Sequence, residues 1–524
     1  MTVEENDDDD KERPARTGLT ARGRDKGWLW LIPLGILVVG MALLEVSMLD
    51  RRPLANDEST SYFIAHIGWS AFWESIRTSE ANGSIFYFLL RFWLNVGRSE
   101  GVLRALPMAF AVATVPVLFA ATRLLFGWLT ALVAATLVAT NVMFLEHGQD
   151  LRSYSLSALL VTLSSWFFAR GLANPSVGNR IGHIAASALA LYAHFFSSLV
   201  LLAQLLASLL YPDRRRSLRF VGGNMAIVGL LGSPLAAFVL FNDRGQVDWI
   251  PELSPKRVRE ALLELSGMPS KTTMLVLGGV LVAGFALAAW KRPPDPARSA
   301  SKSSTGAFEA RAWRLSFAAL WFVLPIAGAL LISVFKPLFV SRYLLVALPG
   351  LAISTAVAIS SLRQPLAVVA VTMGFVFLAS QGISEWRSTP LGKWGYSEKV
   401  NYVREAAEPR DGFFLYAPTI IRPFGYYAGY YGHGPESSAI PPPIYPELDW
   451  LGYSATKYRP NLERLEQEVA QHDRVWLLAG FARDKPRVRE LRKIRSMLWS
   501  ECTGGVSDTA FGGDLELYEG CGTR

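Results

Sequence analysis

Apolar runs recur from Trp28 to residue 383, each near the roughly 20 residues that a helix needs to cross a bilayer, and this constrains the fold more than any other feature. They occupy 28–48, 104–126, 128–145, 154–170, 180–194, 195–211, 220–241, 271–290, 314–335, 338–361 and 364–383. The sequence therefore predicts a polytopic α-helical membrane protein of about eleven transmembrane helices. Its composition agrees, with 51% hydrophobic and 18% charged residues. The net charge of +8 sits in short connections rather than in one stripe, which argues against a nucleic-acid surface. Residues 1–27 are polar and read as a disordered tail, and Arg22, Arg24 and Lys26 place it in the cytoplasm.

Charge fixes the threading. With eleven spans, Arg123, Arg170, Arg180, Arg214–Arg216, Arg219, Lys291, Arg292, Arg298, Lys302, Arg311, Arg314 and Arg363 all fall in cytoplasmic loops. Residues 84–97 are apolar but short and contain Arg91, so they read as an interfacial helix. Were they a span, the Arg214–Arg216 cluster would face outward, against the charge bias. The extracytoplasmic side then receives a long first loop (49–103), QDLRSY at 149–154, YAHFF at 192–196, QVDWIP at 246–251, KPLFVSRY at 336–343 and everything after about residue 381. The module 28–383 is followed by 384–524, which reads as a small α/β extracytoplasmic domain. Its expected strands are 411–418, 474–480 and 515–520, with amphipathic helices at 461–471 and 485–497. Cys502 and Cys521, the only cysteines, form an even pair that an oxidising compartment can join.

Polar chemistry gathers on that side. Asp57 and Glu58 follow the first span closely, where a lipid-borne head group lies, and such a pair can take a proton from a hydroxyl or hold a divalent cation. A solvated acidic loop is the plainer reading of the same two residues. Glu80 is a further carboxylate of this loop. Gln149, Asp150 and Arg152 end one span, His194 interrupts another pair, and Lys336 and Arg342 flank a turn suited to a phosphate, Arg by its bidentate fork and Lys as a point charge.

An acidic pair in the first outer loop, Q-[ED]-x-R-x-Y-S-L, YxHFF and an outer R-Y-L-L turn occur in the order that resembles the C-type glycosyltransferases. More narrowly, the chain resembles bacterial relatives of protein O-mannosyltransferases and of the lipid A aminoarabinose transferase, over roughly residues 28–383. The resemblance implies inverting transfer of a sugar from a polyprenyl-phosphate donor to a lipid, glycan or protein acceptor, outside the bacterial plasma membrane. Asp57 would be the catalytic carboxylate, with Glu58 beside it. Arg342 and Lys336 would meet the departing phosphate. Asp150, Arg152 and Tyr154 match the second motif. Glu80 and His194 match positions that bind a metal or the donor, so a divalent cation is the one cofactor implied. The family often carries His-Pro-Pro before the interfacial helix, whereas this chain has Asn82, Gly83 and Ser84, which weakens a metal site at Glu80.

A transporter or lipid flippase is the rival from another class, but such proteins carry internal repeats and ionisable groups near the bilayer midplane. The apolar runs here are nearly charge-free at their centres. A scaffolding protein with a ligand-binding outer domain leaves the outer carboxylates and the Arg-Tyr turn without a role.

Overall fold

The computed structural model describes residues 27–241, 250–267, 270–290, 303–362, 364–388, 395–416, 418–429, 462–479, 485–507 and 515–522. Of the expected features, Gln246–Trp249 of QVDWIP and the basic residues Lys291, Arg292, Arg298, Lys302 and Arg363 lie outside these residues. Every expected span coincides with a helix. Those long and apolar enough to cross a membrane are Glu100–Phe126, Tyr154–Ala173, Arg214–Phe241, Arg311–Phe335, Ser341–Ser360 and Pro365–Ser388. Trp128–Ala139 and Val142–Gly148, bent by 61° at the break, make a seventh if counted together. The described helices thus give six or seven spans by length and apolar character, against the eleven expected. Leu31–Val46 and Ser197–Leu209 are apolar but only 16 and 13 residues long.

Large apolar side chains stand exposed along the helix flanks, among them Ile36, Leu230, Leu240, Val282, Leu331, Leu366 and Phe377. A belt of this kind is unfavourable in water and suits hydrocarbon, where helices satisfy their own backbone.

Three short helices follow the first apolar helix: Asn56–His66, Trp69–Thr78 and Ser84–Trp93. The last is the expected interfacial element. Its Arg91 lies 4.0 Å over the Trp69 ring and donates to the carbonyls of Ala65 and Ile67, so the charge is satisfied locally without leaving the apolar face.

The C-terminal residues form a four-stranded sheet in the order β1-β2-β4-β3, with β1 Asp411–Tyr416, β2 Arg474–Ala479, β3 Gly504–Ser507 and β4 Leu515–Glu519. β1 and β2 are parallel and the remaining pairs antiparallel. One face packs Phe414, Val475 and Leu477 against Leu465, Ile494 and Leu498, beside the Cys502–Cys521 disulfide. The other face, with Phe413, Leu415 and Trp476, belongs to the same hydrophobic core as the long helices. Helix Pro418–Tyr427 joins the two layers and packs on Asn56–His66.

Candidate active site

Two adjacent carboxylates at the start of Asn56–His66 have different fates. The helix begins just after Pro53, and Glu58, at its third position, reaches back so that its Oε2 accepts from the Ala55 amide at 2.9 Å, one half of a capping box. Arg104, the fifth residue of Glu100–Phe126, donates to both Glu58 oxygens, Nε to Oε1 at 2.9 Å and Nη2 to Oε2 at 2.8 Å. Its other donors reach the carbonyls of Leu49, Arg52 and Pro53. The Leu151 amide also donates to Glu58 Oε1, at 3.2 Å. Burial pushes the Glu58 carboxyl up, but the Arg104 charge and hydrogen bonds outweigh it and hold the group below its usual range. Glu58 and Asp57, expected side by side in the site, stand in different surroundings. Both Glu58 oxygens are taken by donors from three parts of the chain, and its side chain is 4% exposed.

Asp57 points elsewhere. Its side chain is 42% exposed, and its Oδ2 accepts from Arg342 Nη2 at 2.9 Å, across 285 residues of sequence. Its Oδ1 has no hydrogen-bond partner among the described residues. Arg342 sits in the 3-10 turn Ser341–Ala347, with its guanidinium 5.8 Å from the Tyr154 ring. Arg152 donates to the Tyr87 hydroxyl at 3.0 Å and to Ser61 Oγ at 3.3 Å. Burial opposes the charge on Arg152, yet Tyr87, Tyr154, Asp57 and Glu80 more than offset that and raise its pKa. The rings of Tyr154, Tyr343 and His194 close the space, with His194 and Tyr343 4.8 Å apart.

Asp150 is one step removed. Its oxygens accept from Arg52 and meet His147 Nδ1, each at 2.7 Å. Burial raises the Asp150 pKa, but His147 and Arg52 prevail and keep the carboxyl below the ordinary range. Gln149 anchors the same turn by donating to the Glu45 carbonyl at 2.9 Å and to its carboxylate.

The structure therefore brings Asp57, Arg342, Arg152 and Tyr154 together, with Asp150 behind them. Lys336 is exposed where Ser303–Phe335 ends, and it is Arg342 that contacts Asp57. The arrangement does not fit a metal centre. Glu80 accepts from the Tyr87 hydroxyl at 2.9 Å, whereas His194 lies among aromatic rings with its Nδ1 accepting from the Phe196 amide at 3.3 Å. Among the described residues no three His, Cys, Asp or Glu side chains form a group able to hold a metal ion. Asn82 and Gly83, standing where the family often has His-Pro-Pro, serve packing. Asn82 Oδ1 accepts from the Phe195 amide, and the Gly83 amide donates to the Tyr192 carbonyl from a left-handed backbone with φ of 92°.

Four contributors escaped the sequence reading: Arg52, Tyr87, Arg104 and His147. Arg104 carried a signal, since an arginine at the head of an apolar run needs a partner.

No protein-family model matches the chain, and no curated protein matches it by sequence. Among solved structures it is similar to ArnT from Cupriavidus metallidurans in the apo state, with TM-score 0.57 and 12% identity, covering 95% of this chain and 99% of that one. ArnT from the same organism bound to undecaprenyl phosphate matches with TM-score 0.50 and 12% identity, over 76% of this chain and 84% of that one. At 12% identity the likeness to these two structures is one of fold alone.

Proposed function

We propose that the protein is an inverting membrane glycosyltransferase that moves a sugar from a polyprenyl-phosphate donor to an acceptor hydroxyl on the extracytoplasmic face. In this reading eleven helices span the plasma membrane, the N-terminus is cytoplasmic and the sheet domain lies outside. The observation that carries it is the convergence of a half-exposed carboxylate, Asp57, with Arg342 and Arg152 at one end of an apolar bundle. ArnT, which shares the fold, has been crystallised with undecaprenyl phosphate.

The chemistry follows from the donors. The unbonded Asp57 Oδ1 accepts the proton of the acceptor hydroxyl while that oxygen bonds to the anomeric carbon. The bond from the anomeric carbon to the phosphate oxygen breaks, and the polyprenyl phosphate leaves with the bonding pair. Arg342 and Arg152 stabilise the charge that grows on it, Arg342 releasing Asp57 in part as it does so. Glu58 holds Asp57 in place.

Purified protein incubated with a panel of polyprenyl-phosphate sugars and envelope acceptors tests the reading, with products identified by mass spectrometry. Transfer is expected with at least one donor, and Asp57→Asn should lower the rate by two orders of magnitude or more, the scale of general-base loss (about 10²–10⁴-fold). Wild-type turnover by that variant removes the assignment.

A further inference from the structure

A cavity of about 400 Å³ opens beside the Arg52–Asp150 pair among the ends of Leu31–Val46, Val142–Gly148, Pro255–Ser266 and Pro365–Ser388. Ligand pockets run from about 300 to 1,000 Å³, so it is large enough to be one. His147 divides the two spaces. It lines this cavity, holds Asp150, and stands 6.3 Å from the Tyr154 ring on the other side.

The wall chemistry narrows the occupant. Arg52 is engaged by Asp150, and Arg51 donates to the Arg387 carbonyl at 2.9 Å. Glu146, Glu264 and Glu385 line the same space, with Glu146 close enough to feel the charges of Arg52 and His147. A phosphate would meet three carboxylates there, and an acyl chain would strip them of water with nothing in return. A bare cation would face Arg51, Arg52 and His147. A neutral sugar suits both kinds of surface: its hydroxyls donate to carboxylates and accept from guanidinium groups, while its C–H face lies on Trp386, Met143 and Leu263.

We propose that this cavity binds an uncharged saccharide of the acceptor, so that the acceptor is a glycan-bearing molecule rather than a bare lipid or a peptide. The proposal rests on the transferase reading above and narrows its acceptor class. The test uses the full chain in lipid nanodiscs, with saturation-transfer-difference NMR on the methyl glycosides of glucose, galactose and mannose, and with choline and inorganic phosphate as charged controls. At least one glycoside should receive saturation beyond that in empty nanodiscs. Trp386→Ala should abolish the signal and Trp386→Phe should retain it. Glu264→Gln should weaken binding about tenfold, the worth of one charge-assisted hydrogen bond. Asp57→Asn should stop transfer yet leave the glycoside signal intact, which separates failure of this site from failure of the catalytic assignment. The proposal is overturned if no glycoside binds, if binding is indifferent to Trp386→Ala, or if phosphate or choline binds there in its place.

Discussion

Replacing Arg104 with methionine should be among the most damaging single changes in the chain. The Arg104 side chain is wholly buried and Glu58 nearly so. Arg104→Met strands a carboxylate that then has only the Ala55 and Leu151 amides as partners. Removing one member of a buried pair costs about 3–5 kcal/mol. In many proteins the double replacement by apolar residues recovers that loss. Here it should not. Glu58→Met with Arg104→Met also leaves two amides, of Ala55 and Leu151, and three carbonyls, of Leu49, Arg52 and Pro53, without these partners. At about 1–3 kcal/mol for each buried group that water fails to reach, the double variant should remain several kcal/mol below wild type. Asp57→Asn is the internal control. The Asp57–Arg342 pair is partly solvated, with side chains 42% and 25% exposed, and such pairs contribute about 0–1 kcal/mol. Equilibrium unfolding in mixed micelles of a mild detergent and dodecyl sulfate would measure all four proteins. Wild-type stability in the double variant, or a loss below about 1 kcal/mol in Arg104→Met, would refute the reasoning.

The pH dependence has a definite sign. Glu58 and Asp150 are held below the usual carboxylate range in the folded chain, so the unfolded chain binds protons first as pH falls, and their stabilisation is present above about pH 4.5 and lost below it. Thermal stability should fall as the pH drops below about 4, and an unfolding temperature that holds steady from about pH 5 down to about 3 would contradict this. Cys502 and Cys521 close a loop with a sequence separation of 19, worth about 3 kcal/mol. Replacing both by serine should speed amide exchange in β3, β4 and Lys485–Glu501 while leaving Glu100–Phe126 protected, and an equal change in both regions would be a surprise the fold does not allow. Sidedness is testable because the native cysteines are joined: Glu74→Cys should react with an impermeant maleimide on intact cells and Arg214→Cys only after lysis, and the reverse pattern would invert the topology.

Charge bias and hydropathy together were enough to sort the polar motifs onto one end of the bundle. Asp57 meeting Arg342, Arg152 meeting Tyr87, and Asn82 meeting the turn after Ala193 are contacts among segments that the threading had put on one side. The span count was less legible, because three of the apolar runs fold as helices of under 18 residues, Leu31–Val46, Val177–Ala193 and Ser197–Leu209, and one is broken at Thr140 and Asn141. Asp57 and Glu58 could not be told apart by composition. What separates them is helix phase relative to Pro53 and the presence of Arg104, a contact made 46 residues away. The shared core of the sheet domain left a trace in β1, where Phe413, Phe414 and Leu415 put apolar side chains on both faces and all are buried, as befits a strand covered on two sides. Arg52 left none, since a basic residue after a span reads equally well as a membrane anchor.

The adjacency of a locked and a free carboxylate has a mechanical consequence. Successive residues on a helix point about 100° apart, so burying Glu58 against Arg104 turns Asp57 out toward Arg342 without further instruction. Glu58 also receives the Leu151 amide, and that turn carries Asp150 and Arg152. One side chain thus fixes Asp57, through the backbone next to it, and Arg152, through the turn whose Leu151 amide it accepts. Catalytic groups must be held to about 0.5 Å by groups that do not react, and a lysine in place of Arg104 would keep the charge while losing the five-donor fork. Such a variant should fold better than Arg104→Met and still lose rate, because the position of Asp57, rather than its presence, is what the fork supplies.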